Sequence, residues 1–308
     1  MRIFVAGATG VIGRRIIPLL LAEGHQLTAV CRTQAKRSLL EELGAEPIDV
    51  DLFSPIEVRG ALVGHDTVIN LATSIPSTNR LMFPGAWRKN DRLRRYASAN
   101  LVDAAIQQNV RRFIQESFAL AYQDLGDNWI DENSALKPSS HTLSTFDAEK
   151  AVETFTANGG TGVALRFGLF YGPDSSQTLE MMRFVRHGIA MMPGPGNRYL
   201  SSVCHDDAAT AVVAALHADR GIYNVVDDEP LQKTAYFAAL AEALGVGSPA
   251  LLPSWTRYML GSVGTTISRS LRISNRKFRA ETGWEPAFPS AREGWPSIVE
   301  QIGENSAS

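Results

Sequence analysis

Gly7-Ala8-Thr9-Gly10-Val11-Ile12-Gly13 follows an apolar run at residues 3–6 and opens an amphipathic stretch at residues 11–22. Glycines at this spacing let the backbone turn sharply out of a strand, approach a pyrophosphate and pack the next helix against the sheet. An anion held there meets the N–H groups and the partial positive charge of a helix N-terminus. Glycine-rich turns also serve as plain connections, but a strand before and a helix after form the context in which this motif binds a dinucleotide.

Outward from this turn, strand-like runs at residues 2–6, 27–31, 46–50, 67–71, 112–116 and 162–166 alternate with helix-like stretches. The rhythm predicts an α/β fold, a Rossmann-type doubly wound parallel sheet with crossover helices. The first helix ends at Glu23-Gly24-His25 and a second, over residues 34–43, ends at Gly44. Residues 87–109 carry Leu93, Tyr96, Ala97, Leu101 and Ala105 near helical spacing, which predicts one helix covering a sheet face. Its charges at Arg88, Lys89, Asp91, Arg92, Arg94 and Arg95 read as a solvated side.

After Arg166 come Pro- and Gly-rich segments, Tyr171-Gly172-Pro173 and Met192-Pro193-Gly194-Pro195-Gly196, with helices at 178–187, 206–217 and 233–244 and a strand at 221–226. They predict a smaller, discontinuous C-terminal substrate lobe. Residues 1–170 then form the dinucleotide-binding domain, with returns at about 198–227, and residues 171–308 form most of the lobe. Arg269, Arg272, Arg276, Lys277 and Arg279 either line an anionic pocket or form a solvated helix face. The polar tail at residues 303–308 is expected to fray.

At 308 residues with a formal net charge of −2, the chain can bury a large core and shows no basic excess for nucleic acid. Cys31 and Cys204 make no disulfide framework and no metal-type pair, which suits a reducing, cytoplasmic setting and predicts no metal. No run approaches the roughly 18 apolar residues of a membrane span. Glycines and Arg14-Arg15 interrupt the apolar N-terminus, so it does not read as a signal peptide. A small-molecule substrate is the expected partner.

With these landmarks the chain resembles an extended or atypical short-chain dehydrogenase/reductase of the NAD(P)-dependent epimerase/dehydratase superfamily. Val50-Asp51-Leu52 resembles the acidic position after the third strand, and Asn70-Leu71-Ala72 the end of the fourth. Leu165-Arg166-Phe167-Gly168-Leu169-Phe170-Tyr171-Gly172-Pro173 is similar to the family's arginine strand and Tyr-Gly-Pro turn. Val203-Cys204-His205-Asp206-Asp207-Ala208, Tyr223-Asn224-Val225 and Gly283-Trp284-Glu285-Pro286 follow in the family's order. The resemblance implies cofactor contacts from Gly7, Thr9, Gly10, Val11, Ile12, Gly13, Arg32, Arg37, Asp51, Leu52, Leu71, Ala72, Lys150 and Phe167. It also implies a homodimer through the helices at 87–109 and 146–158.

Cofactor choice turns on the end of the second strand, where an acid would hold the ribose hydroxyls of NAD. Cys31-Arg32 stands there, and Arg32, with Lys36 or Arg37, can pair with a 2′-phosphate. The alternative is an exposed arginine in a turn. NADP(H) is therefore expected in preference to NAD(H).

The family's active site implies a Tyr and a Lys four residues later on one helix face, the lysine binding ribose and lowering the phenol's pKa. The matching stretch reads Phe146-Asp147-Ala148-Glu149-Lys150, so the phenol is missing while Lys150 keeps the ribose role. None of the seven tyrosines has a lysine at +4. Losing a general acid costs about 10² to 10⁴ in rate. Ser117 resembles the substrate-polarising Ser/Thr, or else it shapes a turn. Tyr122 is the first candidate for a replacement acid, or else a packed aromatic. His141 is a further candidate or a solvated loop histidine. Tyr171 reaches substrate or packs beneath it. His205 belongs to a junction that Asp206 would cap.

These residues imply an NADP(H)-dependent oxidoreductase acting on a carbonyl or an activated C=C bond with a non-standard proton donor. An epimerase, dehydratase or other non-redox enzyme on the same fold is an alternative. A catalytically silent NADP(H)-sensing protein is another.

Overall fold

The computed structural model describes residues 1–307. Its centre is a seven-stranded, wholly parallel sheet. The strands are β1 (Arg2–Ala6), β2 (Gln26–Cys31), β3 (Glu46–Asp49), β4 (Thr67–Asn70), β5 (Arg112–Phe118), β6 (Thr161–Phe167) and β7 (Gly221–Val225), ordered β7-β6-β5-β4-β1-β2-β3. β1, β4 and β5 are buried along nearly their whole length without alternation because helices cover both faces of the sheet. From β1 the chain runs outward through β2 and β3, then returns to place β4 on the other side of β1. The crevice where the order reverses lies beyond the ends of β1 and β4, the usual ligand position in such a sheet.

On one face, α1 (Gly13–Ala22) packs against α8 (His205–Ala214), joining Ile16, Ile17 and Leu20 to Ala208 and Val212. Each such buried side chain contributes about 1.5–3 kcal/mol. The other face holds α3 (Pro55–Ala61), α5 (Ser98–Gln107) and α6 (Ser144–Ala157) around Leu101, Val102 and Phe155. Between the sheet and the C-terminus, α7 (Ser176–Arg186) and α9 (Lys233–Ala243) enclose a third core with Tyr171, Tyr236 and Trp295. Short strand pairs, such as Leu169–Tyr171 with Ser202–Cys204, connect this core to the sheet.

Residues 87–109 do not form one regular helix. The α4 segment (Arg88–Arg92) passes through a π turn at Leu93–Ala97 before α5 begins. The wider turn rotates Arg94 inward, so it is buried rather than part of a solvated side. The last helix runs through Ala307; Ser308, in the tail expected to fray, lies outside the described residues. Arg269 is buried and donates to the carbonyls of Leu120 and Tyr122, so it is a backbone clamp, neither a pocket cation nor a solvated one.

Candidate active site

The turn after β1 is built by close backbone approach. Gly7 has φ +82°, and a Cβ there would lie 2.5 Å from the Leu71 carbonyl at the end of β4. At Gly13 a Cβ would lie 2.2 Å from the Gly7 carbonyl oxygen. These positions require glycine for packing, and they hold the N-terminus of α1 against the crevice. No side chain caps α1 and no acid occupies its first turn, which leaves its positive end available to an anion.

On one side of the turn, a recess of about 200 Å³ is lined by Thr9, Gly10, Arg32, Lys36, Asp51, Leu52, Leu71 and Ala72. Arg32 and Lys36 are exposed at its edge. Arg37, expected beside them, instead donates to the Pro47 carbonyl and faces Glu41, so Lys36 supplies the second nearby cation. A helix N-terminus, a cationic edge and apolar Leu52 and Leu71 together fit the phosphates, ribose and base of a dinucleotide.

On the other side, a cleft of about 600 Å³ shares Gly7, Gly10, Leu71 and Thr73 with that recess. Its walls include Val11, Ile12, Gly13, Ile75, Trp87, Phe118, Phe167 and Phe170, with Arg94, Glu116, His141, Asp174, Gln177 and His205 among its polar members. His141 lies against Trp87, ring centroids 4.9 Å apart, and its Nδ1 is 3.1 Å from Ser262 Oγ. Burial, then the positive charge of Arg269 and Arg94, brings its imidazole down to about 4, so it is neutral near pH 7. This histidine, a candidate substrate contact, lines the cleft, and so does Phe167, which was expected at the cofactor.

The other expected catalytic groups are elsewhere. Strand alternation turns Glu116 and Phe118 to the cleft and Ser117 away, where its hydroxyl donates to Glu149 Oε1 at 2.6 Å. Tyr122 is fully buried; its hydroxyl donates to Asn224 at 2.8 Å and accepts from Arg166 at 2.7 Å. Burial pushes this phenol up to about 12, against the neighbouring Arg166. It is a member of a buried network and not a proton donor to the cleft. Tyr171 packs on Trp295, ring centroids 4.8 Å apart, inside the third core, so it also does not reach substrate.

The largest correction concerns α6. Phe146 is 40% exposed and Lys150 is exposed, on the helix's outer side. The buried pair with the same four-residue spacing is Thr145 and Glu149. One residue along a helix is a rotation of about 100°, so a one-position offset exchanges inside for outside. Thr145 receives a 3.3 Å hydrogen bond from Arg94, while Glu149 is paired with Arg166. The apolar stripe Ala148, Ala151, Val152 and Phe155 carries this phase and, extended back one turn, points to residues 144 and 145.

Sequence reading also missed the Arg94–Glu116 pair, linked at 2.7 Å with both residues buried. A charged residue in a helix of mixed charge carries no signal of burial, and a π turn has no local signature. Asp174 forms a second charged feature. It pairs with Arg14 and Arg15 on α1 and lies 3.1 Å from His205 Nδ1, while Arg15 also reaches Asp206 at 2.6 Å. Burial opposes ionisation of Asp174, but these bonds and the arginines' charge hold its carboxyl well below the usual range. His205 is the first residue of α8, whose cap is the Cys204 sulfur accepting from Asp207 N–H, not the expected Asp206.

A family profile described as NAD(P)H-binding matches residues 7–177. The 3-diazoavenalumate denitrifying reductase of a Streptomyces species is 31% identical over 307 residues, covering 96% of this chain and 99% of that protein. Among solved structures, human epimerase family protein SDR39U1 with NADPH superposes with TM-score 0.79 at 21% identity, covering 97% of this chain and 99% of that one. UDP-glucose 4-epimerase from Thermotoga maritima superposes with TM-score 0.80 at 21% identity over the whole of both chains. The matched profile, with the glycine turn inside it, makes this chain a member of the NAD(P)H-binding family, and its fold is the one these epimerase structures share.

Proposed function

We propose that the chain is an NADPH-dependent reductase of small conjugated molecules, acting on an electron-poor C=C or N=N bond in preference to an isolated ketone. The observation that carries this reading is the composition of the cleft: it continues from the dinucleotide recess, its walls are mainly apolar and aromatic, and among the described residues neither tyrosine nor lysine lines it. When bound, the cofactor supplies hydride. Gly7, Gly10 and the N-terminus of α1 hold its phosphates, and Arg32 with Lys36 receives the 2′-phosphate. Trp87, Phe118 and Phe167 pack against the acceptor and orient it. An acceptor conjugated with a ring or carbonyl spreads the negative charge it gains, and solvent then supplies a proton, so the missing phenol is not needed. The Streptomyces relative, named as a diazo-compound reductase, supports hydride chemistry on a conjugated group.

Cytoplasmic placement belongs to the same reading; among the described residues no helix is long and apolar enough to cross a membrane. Exposed Tyr96 and Phe146 on neighbouring helices support a homodimer through that side.

The test is to measure NADPH and NADH affinity, then nucleotide oxidation with aromatic enones and with their saturated ketones. Tenfold or greater preference for NADPH, with oxidation confined to the enones, is expected. Equal use of enone and ketone overturns the substrate reading. Absence of oxidation, with NADPH and NADP bound at different affinities, favours the sensing alternative.

A further inference from the structure

The reductase reading leaves one charged element of the cleft without a task. Glu116 lines the cleft from the end of β5, beside the aromatic side chains of Trp87, Phe118 and Phe170, yet it is only 8% exposed. Arg94, 2% exposed, donates to its Oε1 at 2.7 Å. Among the described residues, Glu116 Oε2 has no hydrogen-bond partner. Leaving a buried acceptor unmatched costs about 1–3 kcal/mol, more when it is charged, so such an atom calls for an explanation.

Arg94 is available only because the π turn at Leu93–Ala97 rotates it inward, and such turns are frequent at functional sites. Its second bond, to Thr145, fixes the guanidinium against α6. Glu116 is therefore held on one oxygen and unmatched on the other. His141, neutral and packed at a 47° tilt against Trp87, adds to the wall without competing charge.

Resting on the reductase reading, we propose that Glu116 is the specificity-determining acceptor for the hydrogen-bond donor of a planar aromatic substrate, a phenolic hydroxyl above all. The ring lies among Trp87, Phe118 and Phe170, and its O–H is directed to the Glu116 carboxylate. Arg94 is a positioning residue that keeps the carboxylate in place. A site built around a substrate hydroxyl strongly rejects the analogue that lacks the donor, because the buried acceptor is then left unmatched.

The experiment uses the full chain saturated with NADP and two probes, 4-hydroxybenzylideneacetone and its 4-methoxy ether, with affinity measured by calorimetry. In the wild type the phenol should bind about tenfold or more tightly than the ether. Glu116→Gln should reduce that ratio. Because an unpaired buried Arg94 destabilises a fold, the paired replacement Arg94→Met with Glu116→Leu provides a second variant without uncompensated charge. It should bind both probes alike, with ether affinity retained. A ratio near one in the wild type, or one that persists in the double variant, overturns the proposal. Binding is read without turnover, so absence of NADPH oxidation would count against the reductase reading alone.

Discussion

Arg166 grips Glu149 with two parallel hydrogen bonds, Nε to Oε1 and Nη2 to Oε2, each 2.7 Å long. The side chains are 4% and 5% exposed, and Ser117, Tyr122 and Asn224 extend the network. The residues first read as catalytic, Ser117 and Tyr122, are thus parts of one buried support joining α6, β5, β6 and β7. Removing one partner of a buried pair costs about 3–5 kcal/mol because the other charge stays behind. Glu149→Ala is expected to lose stability of that order in urea unfolding; a loss below about 1 kcal/mol would contradict this role.

Lys150 is expected to be dispensable for cofactor binding. It is exposed and lines neither the recess nor the cleft. Lys150→Ala should bind NADPH within about twofold of wild type, as surface substitutions shift energies by roughly 0.5 kcal/mol. A tenfold loss in a fluorescence titration would return the ribose role to this residue.

The three motif glycines should respond unequally to alanine. Gly7→Ala combines a positive φ with a collision at Leu71, and Gly13→Ala places a methyl against the Gly7 carbonyl. Both should abolish measurable NADPH binding. At Gly10 the nearest atom to an added Cβ is 3.2 Å away, so Gly10→Ala should retain the fold, with its thermal midpoint close to wild type. Equal thermal loss in all three would show that the close contacts do not set the cost.

Arg32→Ala should weaken NADPH by about tenfold or more and leave NADH unchanged, since a charge-assisted bond to phosphate contributes about 1.5–3 kcal/mol. Parallel titrations at low and high salt check this, with the wild-type advantage shrinking as salt rises. Equal losses for both nucleotides would assign Arg32 to a different part of the cofactor.

His141 predicts an acid-side loss of stability. Its folded pKa, about 4, lies below the ordinary value of 6.5, so the unfolded chain binds more protons between these values. Stability should therefore fall as pH drops from about 6.5 to 4, by roughly 3 kcal/mol for this group, and its contribution should level off below. Urea unfolding of wild type and His141→Gln at pH 7.5 and 4.5 compares the slopes. A substitution that leaves the slope unchanged removes His141 as its source.

The strands and the glycine turn were legible because their signals are local: apolar runs bounded by breakers, and glycines that the backbone itself requires. His141 and Phe167, named from the sequence as substrate and cofactor contacts, both line the cleft. What escaped was angular. Ser117 differs from Glu116 by one step of a strand, and Lys150 from Glu149 by one step of a helix, yet each step exchanges cleft for support or interior for solvent. Motif spacing measures distance along the chain, while a site depends on direction, which packing fixes. The inward stripe on α6 contained that direction in its apolar residues, whereas the inward turn of Arg94 had no such marker.

The π turn at Leu93–Ala97 gives this last point a concrete form. Forcing ordinary α-helical winding on these five residues, with none removed, would rotate the preceding segment relative to α5. Arg94 would lose its alignment with Glu116 although both side chains remained in the protein. The chamber's polarity is thus stored in the winding of one helix, and a change in that winding can erase it as completely as a change in chemistry.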